Sequence, residues 1–383
     1  MNQRNHQGPV AMRALPMGNP LRVDTASRGA ARQRWTSRLA MALAIVTLAA
    51  NGKPAPAADL DWSQTVGPLL FYDTAGNWTP AQIPTDGDNV TFSIDVAGLP
   101  IIIGALSNGN NVNVIDNDWT FTGGGGATLD TEGLVTIDDP FGTTIANGTN
   151  LTVNAAVNWN NAGSIGTGVV DGDGSLLQSR RIDLGFDGTG RLDVSGGAVA
   201  RTLRQGTSIG DMVIAFALGS DGKVAVHGTD VTDSLLDVDD NLIVGEAGLG
   251  QLNIGRDLND NEVGTGALQV DLNLVIANAA GNVADNKVVV SGAGATVNVG
   301  GNLEAGRAGK GTFEARNGAT ITIGNDLDVG LIGGGDGTVL IDGPGTTVNA
   351  AGLFVGNAAA PGRPAPSPSA TAPRQPSRAP PTA

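Results

Sequence analysis

Asp326-Leu327-Asp328-Val329-Gly330 is one copy of a phrase that this chain repeats. Neighbouring copies read Asn302-Leu303-Glu304-Ala305-Gly306 and Gly352-Leu353-Phe354-Val355-Gly356. Looser copies lie upstream: Ile182-Asp183-Leu184-Gly185, Asp211-Met212-Val213-Ile214-Ala215, Asn241-Leu242-Ile243-Val244-Gly245 and Asn273-Leu274-Val275-Ile276-Ala277. The leading apolar residues stand at 182, 212, 242, 274, 303, 327 and 353, so successive copies are 30, 30, 32, 29, 24 and 26 residues apart. A period of this length marks a solenoid, in which each unit buries its apolar side only by stacking on its neighbours.

Two further strands accompany the phrase. One follows a glycine, as in Gly190-Arg191-Leu192-Asp193-Val194, Gly222-Lys223-Val224-Ala225-Val226, Gly311-Thr312-Phe313-Glu314-Ala315 and Gly337-Thr338-Val339-Leu340-Ile341. The other alternates Thr or Asn with aliphatics, as in Thr296-Val297-Asn298-Val299, Thr320-Ile321-Thr322-Ile323 and Thr347-Val348-Asn349-Ala350. Alternation at period two sends one set of side chains inward and the other outward. Strands this short cannot stand alone. Gly, Asn and Asp between them supply the turn conformations that sharp corners need. Three short strands per 24–32 residues predict an all-β parallel β-helix, each strand pairing with its equivalent one coil away at about 4.8 Å. Corner Asn and Asp are expected to stack and share hydrogen bonds. An array of antiparallel sandwiches fits less well, because the phrases recur with one polarity.

Composition agrees. Aromatics make up 4% of the 383 residues, so the core must be Val, Leu, Ile and Ala. The 58 glycines lack a collagen triplet. Cys is absent, which removes disulfides, thiol chemistry and thiolate metal sites. Residues 1–58 hold eight Lys/Arg and the single acid Asp24, and the segment from Pro361 holds Arg363, Arg374 and Arg378 with no acid. Between them, 59–360 keep 11 basic and 36 acidic residues, a net of −25. Such a surface repels nucleic acid and anionic membrane.

Arg28, Arg32, Arg34 and Arg38 precede an apolar run from Leu39 to Ala50, and Ala55-Pro56-Ala57 fits a small-residue cleavage site. The pattern is that of a secretory signal peptide. The run is too short to span a membrane, which takes about 20 residues. The chain thus divides into an N-terminal extension and signal peptide (1–58), a capping segment (59–100) rich in large aromatics such as Trp62 and Trp78, β-helix repeats (101–357), and a Pro/Ala-rich tail (358–383) that reads as disordered. Degenerate early coils are expected over 100–180, and Trp119 joins the aromatic capping set.

Val288-Val289-Val290-Ser291-Gly292-Ala293-Gly294-Ala295-Thr296-Val297 leading to Gly301-Asn302-Leu303, and Gly343-Pro344-Gly345-Thr346-Thr347-Val348 leading to Gly352-Leu353, resemble the type V secretion (autotransporter)/PEP-CTERM-associated β-strand repeats. The segment from Gly76-Asn77-Trp78 to Asp88-Asn89-Val90 is similar to the region preceding such repeats in bacterial surface proteins. The resemblance covers roughly 60–357. It implies a secreted or surface-exposed, outer-membrane-associated protein of passenger type. A C-terminal barrel or sorting motif would complete that family pattern; the Pro/Ala/Ser/Arg composition after Asn357 is instead a linker, or the mark of a truncated or frame-shifted end.

Catalytic and metal signals are sparse. His227 is the only histidine after the N-terminal extension, too few for a zinc cluster, and reads as a surface turn residue rather than a triad member. The middle residue of each phrase points away from the core: Asp183, Val213, Ile243, Val275, Glu304, Asp328 and Phe354. Glu304 and Asp328 would lie on adjacent coils, near the separation of a retaining glycosidase pair, roughly 5–5.5 Å; the plainer reading is two solvated charges. Val213, Ile243 and Val275 form an apolar stripe that is either covered by a long loop or a contact surface, and coverage is the favoured reading. Asp257-Leu258-Asn259-Asp260-Asn261-Glu262 is rich in oxygen donors but lacks the Gly and distal Glu of an EF-hand loop, and Gly334-Gly335-Asp336-Gly337-Thr338 departs from the nonapeptide calcium repeat at Val339. Gly123-Gly124-Gly125-Gly126 reads as a turn. No catalytic, cofactor or metal residue is therefore assigned, and no cofactor is expected. The sequence predicts a non-catalytic structural or adhesive protein whose partners are glycans, extracellular matrix or neighbouring cell surfaces, without nucleic acid and without a spanning segment in the mature chain. The competing expectation is a polysaccharide-cleaving lyase or glycosidase on the same scaffold.

Overall fold

A computed structural model describes residues 57–356 apart from 64–69, 86, 94–99, 103–106, 110–111, 116–118, 123–127, 132–134, 139–142, 147–149, 160–164, 205–209 and 229–232. The expected signal peptide, the Gly123–Gly126 turn and the tail lie outside the described residues.

The described chain is a parallel β-solenoid. A representative coil runs through Lys310–Arg316, Thr320–Ile323 and Asp326–Val329. These strands define three faces, named A, B and C in that order. Face A is an 11-stranded sheet; faces B and C join into one of 21 strands. The repeated phrase is the face C strand, and its copies are in exact register: Met212↔Leu242↔Leu274↔Leu303↔Leu327↔Leu353. The leading aliphatic of every phrase points inward and stacks on the next. Leu192, Val224, Leu252, Val288 and Phe313 do the same on face A, and all are fully buried.

The faces join where two strands merge. Asn150–Trp159 and Leu176–Leu184 are continuous across faces B and C, so these coils do not hold three separate short strands. No Gly stands at either corner, and in Leu176–Leu184 no Asn does. The register shifts between Val153 and Ala156, and Ser179 bends the backbone by donating to the Arg181 carbonyl while accepting from the Arg181 N–H. A bulge thus replaces a glycine corner. The expected early coils are present, as in Val112–Ile115 beside Val135–Asp138.

Two devices hold the corners. The residue closing each phrase sits in the left-handed region: Gly185, Ala215, Gly245, Ala277, Gly306, Gly330 and Gly356 have φ between 58° and 79°. Glycine takes this conformation without cost, whereas alanine is strained there. Room is also limiting at Gly245, where a Cβ would lie 1.8 Å from Asn286 Oδ1. The opening residue of the phrase forms the expected polar ladder. Asn241 donates through N and Nδ2 to Asp211 Oδ1 at 3.0 and 3.1 Å, and Asn273 Nδ2 donates to Asn241 Oδ1 at 3.1 Å. The N–H of Asn302 donates to Asn273 Oδ1 at 2.9 Å, and that of Asp326 to Asn302 Oδ1 at 3.3 Å.

The first coils are filled by aromatics. Trp62 meets Trp78 edge to face at 5.0 Å, and Tyr72 and Phe92 pack on Trp78 at 5.1 and 5.4 Å. Trp78 Nε1 donates to the Tyr72 carbonyl at 2.8 Å, which satisfies its buried polar edge. Asp88 ties this segment together by accepting from the Ala58 and Thr85 N–H groups and the Thr85 hydroxyl. The Trp119 side chain lies outside the described residues.

Candidate functional site

Face C carries the paired carboxylates. Asp183↔Val213↔Ile243↔Val275↔Glu304↔Asp328↔Phe354 form one continuous row, so Glu304 and Asp328 do stand on adjacent coils. They are not solvated charges. Glu304 is 6% exposed and Asp328 has no exposed surface. Val213 and Val275 are covered as expected, and Phe354 is exposed. The turn after each phrase also stacks coil on coil. Phe216 N–H donates to the Gly185 carbonyl, Asn278 N–H to that of Gly245, and Ile332 N–H to that of Arg307. Glu304 meets Arg307 Nε at 3.4 Å. Asp183 accepts Arg181 Nε at 2.8 Å on both oxygens; burial raises its pKa and the Arg181 charge partly offsets this. Arg181 also lies over the Phe216 ring, which stacks on Phe186 at 4.9 Å. In this conformation Asp328 offers no surface to a substrate.

Face A is a mixed-charge surface. Arg191 forks onto Asp221 at 3.1 and 2.8 Å, and Lys287 meets Glu314 at 2.7 Å. Arg316 closes on the same Glu314. Burial, with Arg316 and Arg256 nearby, lowers the Lys287 pKa. The oxygen-rich loop of 257–262 folds back over this face, a placement that its composition did not signal. Asp260 accepts from Lys223 Nζ at 2.9 Å and from Asn253 Nδ2 at 2.8 Å; burial pushes its carboxyl up, but these partners outweigh that and hold it below the usual range. Asp257 Oδ1 accepts the N–H groups of Asn259 and Asn261, and its Oδ2 accepts Asn261 Nδ2. Glu262 accepts from Ser291 Oγ and Asn317 Nδ2. The loop's oxygens are thus engaged in folding the loop, and no group of three or more metal-ligating side chains occurs among the described residues.

His227 is not a simple turn residue. Its Nε2 lies 3.0 Å from Asp193 Oδ1 on the preceding coil. This bond raises the His227 pKa, against the opposing effect of partial burial. The neighbouring hydroxyls serve other partners: Ser195 Oγ donates to Asp171 Oδ1 and Ser234 Oγ to the His227 carbonyl. A triad needs a hydroxyl on the free imidazole nitrogen, and these two point elsewhere.

Face B presents polar side chains outward at its C-terminal half. Its outward residues form two rows in register, Thr296↔Thr320↔Thr347 and Asn298↔Thr322↔Asn349. Asn298, Thr320, Thr322, Thr347 and Asn349 are exposed. The first row repeats a hydroxyl and the second alternates amide and hydroxyl, one side chain per coil at about 4.8 Å.

Comparison with protein-family models, with curated proteins and with solved structures finds no match. No helix among the described residues is long and apolar enough to cross a membrane.

Proposed function

We propose that this chain is a secreted or cell-surface structural and adhesive β-helix of autotransporter-passenger type, which presents the Thr and Asn rows of face B to glycans, matrix or a neighbouring cell surface. One observation carries the reading: Thr296↔Thr320↔Thr347 and Asn298↔Thr322↔Asn349 are in register and their Thr320, Thr322 and Asn349 members are exposed. A regular lattice of neutral donors and acceptors suits a polymer that repeats hydroxyl groups, through many shallow contacts. The acidic middle of the chain favours neutral polymers over anionic ones. The sequence resemblance to passenger repeats and the signal pattern of 28–57 support a location outside the cell.

The polysaccharide-cleaving alternative has the stacked Glu304–Asp328 pair in its favour, but the burial of both weighs against it. One experiment separates the two. The protein is passed over immobilised neutral polysaccharides, and released reducing ends are measured in parallel. Retention that Thr320→Glu with Thr322→Glu abolishes, with no new reducing ends, supports the adhesive reading. Release of reducing ends that Glu304→Gln abolishes would replace it.

A further inference from the structure

Face B changes character along the solenoid. One outward row runs Gln178↔Arg201↔Asp237↔Gln269↔Asn298↔Thr322. Its earlier members are charged or engaged: Arg201 Nε donates to Gln178 Oε1 at 2.7 Å, and Gln269 Nε2 to Asp271 Oδ1 at 3.4 Å. From Ala295–Val299 onward the outward residues are Thr and Asn alone, and none is charged. The side chains of Thr296, Asn298, Thr320 and Thr322 make no hydrogen bond to other described residues. The corner Asn273 and Asn241, by contrast, spend their amides on each other. The chain around this strip is strongly acidic, with 11 basic and 36 acidic residues over 59–360.

The strip has a defined repeat. Each row advances about 4.8 Å per coil, and the two rows, two residues apart on a strand, are separated by about 6.7 Å. Branching at Cβ restricts the Thr side chains to few rotamers, so hydroxyls and methyls recur in few arrangements. The strand ends beside the second row bear no side chain. They are Gly300 and Gly324, where a Cβ would lie 2.3 Å from the carbonyl oxygens of Asp271 and Gly300 respectively. That margin of the strip is therefore low.

An extended ribbon of β-1,4-linked hexopyranoses has the complementary form. It carries hydroxyls along both edges and C–H groups on its flat faces, and it advances per ring by nearly one strand spacing. Laid face down along the solenoid axis, it sets one edge on the Thr296–Thr320 row and the other on the Asn298–Thr322 row. The Thr methyls meet its C–H face. An uncharged strip requires no ion to be desolvated, and the acidic chain around it repels anionic polymers. A helical α-1,4 glucan cannot follow two straight rows from coil to coil.

We propose that Thr296, Asn298, Thr320 and Thr322 form a binding strip for a neutral, extended β-1,4-linked hexose polymer, which runs parallel to the solenoid axis with one row on each edge. This rests on the adhesive reading above and names its ligand.

The test uses the full chain in native gels containing either soluble β-1,4-glucomannan or amylose, the α-1,4 glucan. Two variants each remove one row: Thr296→Val with Thr320→Val, and Asn298→Ala with Thr322→Val. Val keeps the branched shape of Thr, and all four side chains point away from the core, so each variant is expected to keep the parent's far-ultraviolet spectrum. The parent should be retarded by glucomannan and not by amylose. Each variant should bind glucomannan about tenfold more weakly, the worth of two lost hydrogen bonds. Equal or stronger retardation by amylose overturns the ribbon while leaving the adhesive reading standing. So does glucomannan binding that survives the loss of either row. A parent retarded by no neutral polymer, in gels or on the immobilised set, overturns the adhesive reading and this inference together.

Discussion

Asn273 joins three coils: its Nδ2 donates to Asn241 Oδ1 at 3.1 Å, and its own Oδ1 accepts the Asn302 N–H at 2.9 Å. The side chain therefore satisfies backbone and amide groups that the corner would otherwise bury. Asn273→Ala is expected to cost about 1–3 kcal/mol, the usual penalty when a buried donor loses its acceptor. Urea denaturation of the variant checks this. An unchanged midpoint would mean that the ladder is incidental to stability.

Ala215 and Ala277 hold the left-handed corner conformation, at φ 62° and 58°, where most other copies of the phrase use glycine. Replacing either by glycine relieves a strained alanine, at some entropic cost in the unfolded chain. Ala215→Gly and Ala277→Gly are each expected to raise stability by about 0.5–1 kcal/mol. Gly245→Ala should be strongly destabilising, since its Cβ would collide with Asn286 Oδ1. Thermal melts of the three variants decide the matter. A loss of stability in both glycine variants would contradict the corner assignment.

Much of this was legible in the sequence, and the reason is periodicity. Leu303, Leu327 and Leu353 recur at a spacing that only stacked coils explain, and Asn273 and Asn302 recur with them. The closing Gly306 and Gly330 announce a positive φ. What the sequence did not disclose depends on how non-repeating segments fold over the repeats. The positions of Glu304 and Asp328 followed from register, but their burial did not, because the outward residue of the phrase varies from copy to copy. Asp260 reaching Lys223 joins residues on different coils through an irregular loop, and no local pattern encodes that. The continuous strand Leu176–Leu184 escaped notice because its corner uses Ser179 rather than glycine.

Two titrations should leave opposite signatures. The His227 pKa is raised from 6.5 by Asp193. Its contribution is therefore fully present below the unfolded pKa and is lost as pH rises through the higher folded value. His227→Gln should reduce stability more at pH 5.5 than at pH 8.5. In Asp88, burial raises the pKa but bonds from Ala58 and Thr85 outweigh it and lower the value. Its contribution is present above the unfolded carboxylate pKa and fades as pH falls through the folded value. Asp88→Asn should thus cost stability at neutral pH and little in strong acid. Denaturation curves across pH test both, and a pH-independent difference for either variant would refute the corresponding pairing.

Trp62 is fully buried against Trp78 and Phe92. Trp62→Ala is expected to cost about 3–5 kcal/mol. Because solenoid coils contact only their neighbours, the loss should concentrate at the N-terminal end. Hydrogen exchange should show protection falling around Leu60 and Val90 while the coils of Leu274 and Leu303 remain protected. Uniform loss along the chain would contradict a stacked, nearest-neighbour architecture.

Everything proposed for face B rests on coil-to-coil register, and disulfide formation reads that register directly. Thr296 and Thr320 are in-register neighbours on adjacent coils, within the Cα separation of about 4.4–6.8 Å that a disulfide needs. The chain has no native Cys to interfere. In a variant carrying Thr296→Cys and Thr320→Cys, mild oxidation should close an intramolecular bond rapidly and completely. The pair Thr296→Cys and Asn349→Cys, separated by two coils, should stay reduced under the same conditions. Closure of the second pair in preference to the first would contradict the parallel β-solenoid and the polar lattice built on it.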